Sequence, residues 1–291
     1  MSEVFEVTSE LVGKIEEVLG RGLCTGKGDP QGRMCVEAAV CFAMGLPHGD
    51  DPPCVGLSVR NFKITLNDSK WSSDLARAKG MRKIAIAQLG SNTLDQLEFA
   101  RRMVDKTIRI LTPTLFREVF KDDEGCLKAA DGCETGNNYI EVTNAATATA
   151  QRRAESAEFT HAACAAAHAA SRAAAACSAA HGASAADAAY IAATYAAVAA
   201  RAATHTAHAA ARAATHTTHA ARAASDVASD AASRAATHTA EAARAAADAT
   251  YSAATHAAGD KYLILSADLC FQALQEMDSP GAVWMSENNW E

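Results

Sequence analysis

Residues 201–256 read RAATHTAHAAARAATHTTHAARAASDVASDAASRAATHTAEAARAAADATYSAATH. Advancing about 100° per residue, as 3.6 residues per turn require, Arg212, Arg222, Arg234 and Arg244 fall within about 60° of Arg201. His205, His208, His216, His219, Asp226, Asp230, Glu241 and Asp248 join the same polar face. Ala203, Ala210, Ala221, Ala228, Ala232, Ala243, Ala246 and Ala257 fall near the opposite one. The arginines are 11, 10, 12 and 10 residues apart, and a period near 11 keeps such a stripe almost straight. Alanine is the best helix former but buries little apolar area. A helix with an alanine face is therefore held by close approach to a partner helix, at or below the usual separation of about 8–10 Å. The expected fold is all-α, with an Ala-rich, closely packed long-helix bundle formed within the chain or across a dimer.

The pattern belongs to a longer tract, 144–258, in which about half the residues are alanine and which lacks Leu, Met, Trp, Lys and Pro. Its one glycine, Gly182, suits a helix C′ position, and Ser184 to Asp187 resembles a capping box. This predicts one helix over about 145–181 and further helix from 184. Short helices broken at the Thr/Ser clusters are the alternative to a single helix of roughly 80 Å over 201–256. The absence of Gly and Pro there favours long helices.

Conventional core residues are concentrated in the first 120 residues and again from Tyr262 to Trp290. The expected organisation is an N-terminal helical domain (1–122), a connection (123–143), the Ala-rich bundle (144–258) and a C-terminal docking helix and tail (259–291). Thr8 or Ser9 caps a first helix closed by Gly20. A second runs through GRMCVEAAVCFAM to Gly45, and SVRNFKITL and DLARAKGMRKIAIAQLG read as two more. LDQLEFARRMVDKTIRIL is strongly amphipathic, with Asn92 or Thr93 at its start and Pro113 as its stop. PTLFREVF is a short helix, and the acidic, glycine-bearing KDDEGCLKAADGCETGNN reads as the connection.

A net charge of −7 and a pI near 5.8 argue against general nucleic-acid binding, which needs a basic surface to release counterions. No charge-free apolar run is long enough for a membrane span. The acidic start, MSEVFEVTSE, has no signal-peptide core, so the expected location is the cytoplasm. Nine cysteines, an odd number, in that setting read as reduced thiols.

Four constellations could carry chemistry. Cys35 near a helix N-terminus, with His48 in the next loop, is a candidate thiol nucleophile and base; against it stands Cys35 as a core residue of an apolar helix. Cys35, Cys41, His48 and Cys54 have zinc-binding side chains without zinc-motif spacing. His205/His208 and His216/His219 are i,i+3 pairs, open to transition metals but equally to a polar helical stripe. Arg33, Arg60, Arg77 and Arg82, with Lys63, Lys79, Lys83, Trp71, Ser72 and Ser73, could frame a pocket for an anionic small molecule such as a nucleotide signal, or form a salt-bridged surface. Trp71 anchors packing in either case. No cofactor motif is present, and no cofactor is expected.

The segments GRMCVEAAVCFAMGLPHGDDPPCV (32–55), KITLNDSKWSSDLARAKGMRKIAIAQLGS (63–91) and ADLCFQALQEMDSPGAVW (267–284) resemble uncharacterised bacterial and phage proteins. These also carry an Ala-rich helical tract after the N-terminal domain, and some bear an immunity-protein label. The resemblance covers most of the chain and implies organisation; it carries no catalytic residues. The expected function is thus a non-enzymatic binding or interaction protein, in bacterial immunity or phage counter-defence. Its helical scaffold would serve self-association, as a homo-oligomer, or capture of a protein partner. Sequestration of an anionic nucleotide signal and thiol catalysis by Cys35 and His48 are the alternatives.

Overall fold

A computed structural model describes residues 5–119, 122–136 and 256–290, with short helical pieces at 141–142, 144–146, 148–149, 237–238 and 241. These residues are all-α: their one β pairing is an isolated bridge between Gly28 and Met34. No helix among them is long and apolar enough to cross a membrane. Apart from these short pieces and residues 256–258, the expected long-helix bundle, including Gly182 and the Arg and His residues of the stripe other than His238, lies outside the described residues.

Helix α1 (Ser9–Gly20) starts where Thr8 Oγ1 accepts from Leu11 N–H at 3.2 Å, and it buries Val12, Ile15, Val18 and Leu19. Helix α2 (Val36–Ala43) is capped by the Cys35 thiol, which accepts from Ala38 N–H at 3.3 Å. Helix α3 spans Leu57–Asn67 and α4 spans Asp74–Ala87, the latter capped by Ser73. Gly80 sits mid-helix in α4 because the Trp71 ring lies against it. A Cβ there would come within 2.4 Å of that ring, so the helix-propensity cost of glycine, about 1 kcal/mol, secures the packing of a large aromatic.

Helix α5 (Gln96–Lys106) begins three or four residues later than the Asn92/Thr93 start expected. Ser91–Thr93 forms a 3₁₀ turn, and Asp95 Oδ1 accepts from both Leu97 and Glu98 N–H, at 2.9 and 3.1 Å. Pro113 does not stop the helix as expected. A π turn over Thr107–Leu111 widens the backbone just ahead of it, and α6 (Thr112–Val119) continues beyond. The wider turn absorbs the hydrogen bond that proline cannot donate.

The expected connection begins with a packed helix, α7 (Glu124–Thr135). Asp123 Oδ1 accepts from Cys126 N–H at 2.8 Å, and Cys126, Ala130 and Cys133 recur at helical spacing and are fully buried. Helix α8 (His256–Glu276) lies along α4. Asp260 accepts from Ser72 N–H at 2.9 Å, and Ile264 packs near Gly80. Helix α9 (Pro280–Glu287) closes the chain against the end of α4. Ser279 Oγ donates to Ala87 O at 2.6 Å and Gly281 N–H to Leu89 O at 2.9 Å. One hydrophobic core runs through all these elements, from Val12 to Met285.

Candidate functional site

Helix α2 reads VEAAVCFA: one acid among apolar residues. Helix α3 reads LSVRNFKITLN, with Lys63 between Phe62 and Ile64. The two helices pack so that Glu37 and Lys63 meet inside the core. Both side chains are 0 % exposed, and Lys63 Nζ lies 2.7 Å from Glu37 Oε1. The contact is a buried ion pair. Lys63 and Glu37 are each other's partners, and the second carboxylate oxygen, Oε2, has no further hydrogen bond among the described residues. Burial raises the Glu37 carboxyl above the usual range, Lys63 and Arg60 pull it down, and Asp50 adds to the rise.

A cavity of about 20 Å³ borders this pair. Cys35, Glu37 and Asn67 form its buried side; Gly26, Asp50 and Asp68 form its outer side. Asn67 is locked in place. Its Nδ2 donates to Cys24 O and to Asp68 Oδ1, both at 2.9 Å, while its Oδ1 accepts from Val36 N–H at 3.4 Å. Gly26 N–H also donates to Asp68 Oδ1, at 2.9 Å. The loop bearing Gly26 is folded back by the Gly28–Met34 bridge. Gly28 has φ +71, and a Cβ there would come within 2.1 Å of Arg33 O, so only glycine fits.

Cys35 borders the cavity as a helix cap. It is 4 % exposed, and burial pushes its thiol up to about 11, far from the depressed range of a catalytic thiol. His48 is exposed, with Nε2 3.2 Å from Gly28 O, and forms no hydrogen bond with Cys35. Cys41 and Cys54 are buried. No group of three or more His, Cys, Asp or Glu among the described residues is arranged to hold a metal. His205, His208, His216 and His219 lie outside the described residues.

The basic candidates are spread over separate contacts. Arg33 pairs with Asp74 and Arg60 with Asp51. Arg77 is buried and donates to Asn67 O, Leu23 O and Asp74 Oδ1 at 2.7–2.8 Å. Arg82 holds Glu16 at 3.0 Å, and its guanidinium lies 4.0 Å over the Trp290 ring. Trp71 donates to Leu66 O at 3.0 Å, Ser72 holds Asp260, and Ser73 caps α4. Arg33, Arg77 and Asp74 do converge, but on each other and on backbone carbonyls, not on an open anion pocket.

Sequence reasoning missed Glu37 and Asp68, and placed Lys63 in an anion pocket or a salt-bridged surface. A usable signal existed: a lone acid in an otherwise apolar helix, and a lone lysine flanked by Phe62 and Ile64, each demand a partner. Comparison of the chain with protein-family models, curated proteins and solved structures gives no match.

Proposed function

We propose that this is a non-enzymatic interaction protein of the cytoplasm, which self-associates through its Ala-rich helical tract. Bacterial immunity or phage counter-defence is the setting we propose, on the strength of the sequence resemblance. One observation carries the reading: the tract is held at both ends by the same core. Ala146, at its entry, and Tyr262, just beyond its exit, are both fully buried in one hydrophobic cluster. The entry packs on α7, where Val142 lies close to Gly136. The exit packs on α6, where Lys261 pairs with Glu118. A tract so poor in large apolar side chains gains stability by helix pairing rather than by a core of its own. A second copy supplies an identical alanine face. The buried, protonated Cys35 thiol fits a binding role better than thiol catalysis.

Light scattering on the full chain over a wide concentration range tests this. The expected particle has at least twice the mass of the 30.3 kDa chain. A compact particle that stays monomeric throughout overturns the reading.

A further inference from the structure

We draw no further inference here: the strongest candidate, the side-chain cluster where the Cys54 thiol meets the Met44 thioether at 3.5 Å between the end of α2 and the loop before α3, is a packing contact around a single buried cysteine, and no second observation among the described residues points to a soft metal or any other ligand there.

Discussion

Lys63 Nζ and Glu37 Oε1 lie 2.7 Å apart with both side chains fully withdrawn from water. Removing one member of such a pair leaves an uncompensated buried charge, at a cost of about 3–5 kcal/mol. Lys63→Met is therefore expected to cost that much in urea unfolding. Glu37→Gln/Lys63→Met is expected to cost clearly less than the sum of the single variants. Strict additivity in that double-mutant cycle would show that the two side chains are not coupled.

The buried thiols make stability fall at alkaline pH. Burial pushes Cys35 and Cys54 up to about 11 and Cys270 up to about 12, from an ordinary value of 9.0. Above about pH 9 the unfolded chain loses these protons while the folded chain keeps them. Their contribution is thus fully present below pH 9 and is lost as the pH rises through 11. Urea midpoints measured from pH 8 to 10.5 are expected to drop, and to drop less when Cys270 is replaced by Ala, compared with each variant's own midpoint at pH 8. In the native state at pH 8 a thiol reagent is expected to label Cys24, the part-exposed cysteine among the described residues, well ahead of Cys35. Rapid labelling of Cys35 would revive the nucleophile reading.

Gly281 lets the last helix reach α4. A Cβ at that position would come within 2.0 Å of Ile86 O and 3.0 Å of Ala87 C, both backbone atoms that cannot swing aside. Gly281→Ala is expected to cost about 1–3 kcal/mol through overpacking. Ser279→Ala, which loses one buried hydrogen bond to Ala87 O, is expected to cost about 1 kcal/mol. If Gly281→Ala proved neutral, α9 would not be seated as described.

Legibility followed how locally each feature is encoded. Thr8 caps α1 by a hydrogen bond that acts within one turn, while the helix reaches its C-cap at Arg21 and the chain turns at Gly22 (φ +89) rather than at Gly20. The helical reading of SVRNFKITL and DLARAKGMRKIAIA also rests on local period, and α3 and α4 are helices. Pro113 misled because its remedy, the π turn at Thr107–Leu111, depends on how α5 and α6 pack on their neighbours. Segment 124–135 misled because small residues carry its core face: Cys126, Ala130 and Cys133 are fully buried, and Leu127 is its only large aliphatic residue. The Glu37–Lys63 pair is the least local feature. It joins positions on two helices, and only the packing of α2 on α3 shows which charge meets which.

The C-terminal helices belong to the N-terminal core, and this gives the broadest test. Tyr262, Leu263, Leu269 and Leu274 are at most 2 % exposed, within the same cluster as Val12 and Phe62. Each such side chain contributes about 1.5–3 kcal/mol by burial, so their sum rivals the whole stability of a domain, about 5–15 kcal/mol. Arg102 and Lys106 of α5 add ion pairs to Glu276 at 2.8 and 2.6 Å. A chain ending at residue 255 is therefore expected to lose cooperative thermal unfolding, even though α1 to α7 are complete in it. Adding a synthetic peptide of residues 256–290 is expected to restore a cooperative transition whose midpoint rises with peptide concentration. If the shortened chain unfolds cooperatively with an unchanged midpoint and ignores the peptide, α8 and α9 are an appendage and the two ends of the Ala-rich tract do not share a core.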